Sequence, residues 1–330
     1  MLLIVNAGSS SLKLSVFDGD VQVARVAVGD VGSGGHGAAL ELGLARMAVP
    51  VGRLTGAAHR VVHGGARLTA SCQVTGAVLA DIADCVPLAP LHNPANLTGI
   101  KAVAALAPEL PQVSCFDTAF HATVPEVAAS YALPTAERER GLRRYGFHGL
   151  SYAALVRILR DRGDLPEKLL ACHLGNGASL CAIVNGRSVA TTMGYSPLDG
   201  LTMGTRAGSI DGNAVLRLAE LHGLDGAARI LNRESGLLAL GGSNDLRVLH
   251  QAGTPEAHFA LAHFIYWAVR HAGSMIAAMA GLDAVVFTGG IGENDPVVRA
   301  GIAGGLGFLG TVVDPAANRQ NAAEVQAATS

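Results

Sequence analysis

Lysine is almost missing from this chain. Only Lys13, Lys101 and Lys168 among 24 basic residues carry an ammonium, so anions fall mainly to arginine, whose planar guanidinium keeps its charge and offers a fork of donors. With a formal net charge of −2, there is no basic footprint for nucleic acid. Long apolar runs are missing too: none approaches the ~18 residues that span a bilayer, and the apolar start lacks basic flanks and a cleavage site. A cytoplasmic protein with neither a membrane nor a nucleic-acid partner is expected. Cysteine is scarce, odd in number and scattered. Cys72, Cys85, Cys115, Cys172 and Cys181 include no C-x-x-C pair, which argues against a zinc ribbon or redox motif and leaves reduced core residues. No lysine directly follows a glycine, so the P-loop G-x-x-x-x-G-K-[ST] is excluded.

What is abundant is apolar surface and glycine. Half of the 330 residues are hydrophobic and 42 are glycine, enough for two cores. The chain opens MLLIVNAGSSSLKLSVF: an apolar strand, a turn of amide, glycine and hydroxyls, then a strand around Lys13. Adding 167 to each number aligns Leu2-Leu3 with Leu169-Leu170, Gly8 with Gly175, and Asp18-Gly19 with Asn185-Gly186, without a gap. Each half therefore begins with the same β-hairpin unit. Two such units imply two similar domains facing one another, each offering a turn of N–H and O–H donors suited to phosphate.

Strands are expected over 58–62, 112–117, 168–174 and 283–288. Cap signals place helices after Asn93-Pro94, after Ser151 with a stop at Gly163, and from Thr254-Pro255-Glu256 to near Gly281. The last of these, with Phe259, Phe264, Tyr266 and Trp267, reads as a core or dimer helix. An α/β class follows. The run Gly32-Ser33-Gly34-Gly35-His36-Gly37 spells G-x-G-x-x-G, but no acid follows about 20 residues later, so it reads as a flexible loop. His59-Arg60-Val61-Val62-His63 lacks the glutamate of a zinc protease helix and reads as a strand, with Arg60 and Val62 on one face. Polar residues gather where apolar runs end, at His92, Asp117, Phe147-His148, Arg206 and Gly289-Gly290-Ile291-Gly292. Together they read as a cleft.

In these motifs the chain resembles the acetate kinases, within the wider sugar kinase, actin and Hsp70-like fold. NAGSSSLK, HRVVHGG, LHNPAN, FDTAFH, YGFHG, HLGNGAS, SPLDGLTMGTRAGSID and FTGGIGEN fall in the family's order from Met1 to about Leu309. The resemblance implies a duplicated actin/ribonuclease H-like two-domain α/β fold with an interdomain cleft, divided as 1–148 and 149–330. It implies reversible transfer of the γ-phosphoryl of ATP to a short carboxylate, acetate first, with Mg2+ or Mn2+, in a homodimer. It gives Asn6, Ser9, Ser11 and Lys13 to the first phosphate-side turn, Asn6 lying near the metal, and Asn176 and Gly177 to the second. Asp245, Leu246, Arg247, Gly290, Ile291 and Asn294 would receive adenosine. Arg60 and Arg206 would hold the carboxylate and the moving phosphoryl, Asp117 would act through magnesium, and His148, with His92 and His173 nearby, would donate to phosphoryl oxygens. Val62, Leu91, Phe147 and Pro197 would form the small apolar pocket.

Two departures stand out. The stretch 20–57 is more compact than the family's. The family also continues past the region of Asp314 into a final strand and a helix carrying a glutamate near the magnesium, whereas this sequence ends AAEVQAATS. Either another acid such as Asp117, or water, completes the metal's coordination, or activity is weakened. A propionate kinase, or a degenerate member that binds nucleotide or acyl phosphate with weak turnover, remains the alternative.

Overall fold

The computed structural model describes residues 1–32 and 35–330. The chain divides into two compact units, Met1–Ala122 and Thr123–Ser330. In the first, β1 (Leu2–Ala7), β2 (Ser11–Asp18) and β3 (Val21–Gly29) form an antiparallel meander. Helix α1 (His36–Arg46) leads to β4 (Gly56–Val61), which returns parallel to β1. Then come β5 (Cys72–Gln73), α2 (Gly76–Asp84), α3 (Asn93–Leu106) and β6 (Gln112–Phe116), giving the sheet order β3-β2-β1-β4-β6-β5. Alternation sets the core. Leu3, Val5 and Ala7 on β1 and Leu12, Leu14 and Val16 on β2 are buried, with Leu40 and Leu44 of α1 packed against them.

The second unit opens with short helices α4 (Glu126–Ala129) and α5 (Thr135–Glu139) and the longer α6 (Gly149–Arg162). Its sheet is built from β7 (Lys168–Leu174), β8 (Ala178–Val184), β9 (Arg187–Thr191) and β10 (Ala284–Thr288), in the order β10-β7-β8-β9. Between β9 and β10 run α7 (Gly212–Arg233), α8 (Gly236–Gly241), α9 (Leu246–Ala252) and α10 (Pro255–Met279). After β10 come α11 (Gly289–Asn294), α12 (Pro296–Gly305) and α13 (Pro315–Arg319). All of β8 except Val184 is buried, and apart from Ser179 it is apolar, as in a strand covered on both faces.

The two sheets repeat one another. The order β3-β2-β1-β4 in one matches β9-β8-β7-β10 in the other, antiparallel across the meander and parallel at the fourth strand. The gapless alignment needs one correction. Ala7 pairs with Leu12 but Leu174 pairs with Ala178, so the second turn is one residue shorter and the offset falls from 167 to 166 beyond it. The register break at Val16/Phe17 recurs at Ala182/Ile183, and Gly19-Asp20, rather than Asp18-Gly19, stands where Asn185-Gly186 closes the next hairpin.

Other expectations change for local reasons. His92 occupies the cap position of α3 without capping the helix through its side chain, and the Asn93 amide is spent on His63. Ser151 lies inside α6, its hydroxyl bonded to the His173 ring, and His148 caps that helix in the left-handed region at φ 59°. Thr254 caps α10 as expected, accepting from Ala257 N–H. The glycine-rich run 32–37 is not all loop: His36 and Gly37 open α1, while Ser33 and Gly34 lie outside the described residues. The stretch 123–148, placed with the first domain by the sequence, bonds within the second unit. Thr123 donates to Ser188 O, Tyr145 N–H to Gly194 O, and Arg144 pairs with Asp199 at 2.9 Å. All five cysteines are free; Cys85, Cys172 and Cys181 are buried, whereas Cys72 and Cys115 are half-buried.

Candidate active site

Two groups of polar side chains form where strands end. In the first unit, Asn6 and Lys13 are direct cross-strand partners, so their side chains share a face just before the turn. Gly8 N–H donates to Ser11 O at 2.8 Å and closes that turn, leaving Ser9 and Ser10 exposed. One strand over, Arg60 on β4 meets Asp117 at the end of β6. Its Nε lies 3.1 Å from both carboxylate oxygens and its Nη2 2.6 Å from Oδ2. Asp117 is 2% exposed. Burial opposes the charge on Arg60, but the attraction of Asp117 outweighs it and raises the guanidinium's pKa. One edge of the fork is thus fixed by the carboxylate.

Helix α3 holds these strand ends. Asn96 donates to Ala7 O at 2.7 Å and accepts from Val62 N–H at 3.0 Å, while Asn93 does the same for the carbonyl and amide of His63. Val62 follows β4 and is buried; Leu91 is exposed.

In the second unit, the turn Gly175–Gly177 meets the loop that carries Arg206. Gly204 N–H donates to Asn176 O at 3.1 Å, and a Cβ on Gly204 would lie on the Asn176 side chain. A Cβ on Gly177 would stand 2.7 Å from Arg206 Nη2 and 3.3 Å from His148 Nε2. Bare glycine lets both groups reach the turn. Arg206 Nη1 donates to Pro197 O at 2.6 Å. Burial lowers its pKa, and no carboxylate among the described residues lies within ion-pair distance. Arg206 does not pair with Asp211, which caps α7 by accepting from the amides of Asn213 and Ala214. His148 Nδ1 lies 2.9 Å from Ser179 Oγ, and His173 Nδ1 lies 3.0 Å from Ser151 Oγ and 3.2 Å from Thr288 Oγ1. The two imidazoles are 4.4 Å apart between ring centres.

Beyond β10, Gly289 at φ 78° fits against Leu174 O and starts α11, so the expected glycine turn is a short helix. Asp245 caps α9 and pairs with the exposed Arg247 at 2.6 Å. His250 Nε2 lies 2.8 Å from Asp295, which caps α12, tying the Asp245 and Gly290 segments together.

The acetokinase family's model matches residues 40–330. An acetate kinase of Rhodopseudomonas palustris is 41% identical over 96% of this chain and 89% of its own. Porphyromonas gingivalis acetate kinase superposes with a TM-score of 0.91 at 34% identity, covering 100% of this chain and 93% of that one. A propionate kinase from Francisella tularensis gives 0.92 at 32%, covering 100% and 94%. The chain belongs to the acetokinase family. Its fold is the duplicated actin-like α/β fold expected from the sequence, and the family uses ATP as co-substrate.

For this acetokinase, the structure gathers Asn6 with Lys13, Arg60 with Asp117, and Arg206 with His148, His173, Asn176, Gly177 and Pro197. Asn93, Asn96, Ser179, Gly204, His250, Asp295 and Arg299 escaped the sequence reading. Only the two asparagines carried a local signal, two amides three residues apart in the first turn of a helix.

Proposed function

We propose that the protein transfers the γ-phosphoryl of ATP to acetate, reversibly, giving acetyl phosphate and ADP. The observation that carries this reading is Arg206: a largely desolvated guanidinium without a carboxylate, beside two histidines and a bare glycine turn. Such a cation calls for an anionic ligand. Family membership supports reading that ligand as a phosphoryl group.

An acetate oxygen bonds to the γ-phosphorus as the bridging β,γ P–O bond breaks and ADP leaves. A carboxylate is already a nucleophile, so no general base is needed. The transition state is loose and its charge spreads over the equatorial oxygens, which leaves positioning and charge stabilisation as the protein's work. Arg206 and His148 meet that charge, and His173, with Ser151 and Thr288 on its ring, supports His148. Arg60, its inner edge locked by Asp117, presents its other edge to the acetate carboxylate. The family resemblance assigns the methyl group to Val62, Leu91, Phe147 and Pro197. Asn6, Ser9, Ser11 and Lys13 on one turn, and Asn176 and Gly177 on the other, take the phosphates. Asp245, Leu246, Arg247, Gly290, Ile291 and Asn294 take adenosine, and His92 lies on the substrate side.

Among the described residues no three His, Cys, Asp or Glu side chains could together cage a metal. The donors present, the Asn6 amide and the Asp117 carboxylate, suit magnesium, which binds through one or two protein groups and substrate phosphates: the Asn6 amide would hold it, with Asp117 acting through water. The ion, or manganese in its place, would neutralise phosphate charge. We read the enzyme as a cytoplasmic homodimer; Phe259 and Tyr266, 58% and 63% exposed on α10, support the dimer, which light scattering checks.

Trapping acyl phosphate with hydroxylamine tests the whole reading. Magnesium-dependent product from ATP and acetate is expected; tight ADP binding without product would instead mark a nucleotide sensor.

A further inference from the structure

Arg299, on α12, is 3% exposed, yet it is not among the groups that handle substrate. Four hydrogen bonds surround its guanidinium, and every acceptor is neutral. Nη1 donates to Gly292 O at 2.9 Å, Nε to Asn318 Oδ1 at 2.7 Å, and Nη2 to Asn318 O at 2.6 Å and Asn321 Oδ1 at 2.7 Å. Asn318 in turn donates to Pro296 O at 2.8 Å and is itself buried. Asn321 holds the left-handed backbone, φ 51°, that ends this segment.

Burying this charge is costly: burial lowers its pKa, the nearby Asp295 charge offsets only part of that, and a purely apolar residue could fill the space. What the guanidinium adds is geometry, since its planar fork binds acceptors in several directions at once. One of those directions leads to Gly292, in the middle of α11. That helix has six residues, the Thr288 hydroxyl goes to His173 rather than capping it, and its internal side-chain tie is Asn294 Nδ2 to Gly290 O at 2.9 Å. So short a helix does not hold its shape unaided.

We propose that Arg299 is a positioning residue for the nucleotide: it pins the Gly292 carbonyl to Asn318 and Asn321, and so sets the shape of the Gly289–Asn294 segment against which adenosine rests. This rests on the assignment of adenosine to Gly290, Ile291 and Asn294. Pinned in advance, the segment loses little freedom when nucleotide binds. The acetate side is untouched by the clamp.

Arg299→Lys is the test, because lysine keeps the charge but cannot reach Gly292 and both asparagines together. We expect KM for ATP to rise about tenfold, with KM for acetate and kcat at saturating ATP within about twofold, and faster amide exchange over 289–294 in the ligand-free protein. A folded variant with unchanged exchange and KM for ATP overturns the proposal. So does a parallel change in both KM values with a lowered melting temperature, the mark of a merely structural role. Should Arg299→Lys fail to fold, Asn318→Ala, which keeps the bond to Gly292, is expected to shift exchange and KM for ATP in the same direction by less. No shift there overturns the proposal as well. Altered exchange in a protein whose wild type binds neither ATP nor ADP would instead sink the nucleotide assignment while leaving the clamp in place.

Discussion

At Arg206 the functional reading can be separated from a structural one. Among the described residues its hydrogen-bond partner is a carbonyl, Pro197 O, so removing the guanidinium breaks no ion pair. If it meets charge that develops in the transition state, Arg206→Ala lowers kcat by roughly 10²–10³, about 3–4 kcal/mol, with a much smaller change in KM for acetate. Arg206→Lys recovers little, since an ammonium does not reproduce the fork. A near-normal kcat in folded Arg206→Ala enzyme would end the assignment. Val62 carries a specificity prediction. Wild-type enzyme should favour acetate and propionate over butyrate, and Val62→Ala should move kcat/KM toward the longer acids by an amount set by one or two methylenes, about 1–3 kcal/mol. A wild-type preference for butyrate would refute the pocket.

Elements hold these residues by close approach and by amides. Gly177 lies outside the left-handed region, so alanine suits its backbone, but the added Cβ would press on Arg206 Nη2 and His148 Nε2. Gly177→Ala should therefore cut kcat at least tenfold while the melting temperature stays within a few degrees; normal kcat would show that the turn and Arg206 work apart. Asn96 is the opposite case. Asn96→Ala leaves Ala7 O and Val62 N–H unpaired in the interior, at roughly 1–3 kcal/mol each, and chemical denaturation should show the loss. The strands and hairpin turns were legible in the sequence because period two and Gly-containing turns are local signals, and Thr254 and Gly163 marked helix ends for the same reason. The cap of α6 was not legible. Ser151 reads as an N-cap by type, but its hydroxyl is claimed by His173, 22 residues away, and the cap passes to His148. The pairing of Arg60 with Asp117 and the missing residue in the second hairpin also depend on which strands are neighbours, information that no window of sequence contains.

The whole molecule should respond to pH through histidines outside the reaction. His59, bonded to Gln112 at 2.7 Å, and His63 are buried, and desolvation lowers each pKa to about 4. Above pH 6.5 both states hold neutral rings and nothing is lost. As pH falls through 6.5 the unfolded chain takes up protons that the folded chain refuses, so stability drains away until about pH 4, by roughly 3 kcal/mol per histidine over the window. Melting temperatures from pH 7 to 5 should fall, and His59→Gln should flatten that slope whatever its own stability; an unchanged slope would show that His59 charges freely in the fold. The paired meanders carry a different lesson. Inside a strand, one residue more or fewer would turn core side chains out to solvent and solvent side chains in. The turn between β7 and β8 escapes that rule, and within the paired β1–β2 and β7–β8 hairpins it is where the offset changes. Duplicated halves can thus drift apart one amide at a time at the anion cradle while their cores stay interchangeable, which makes each cradle an adjustable fitting on a fixed frame.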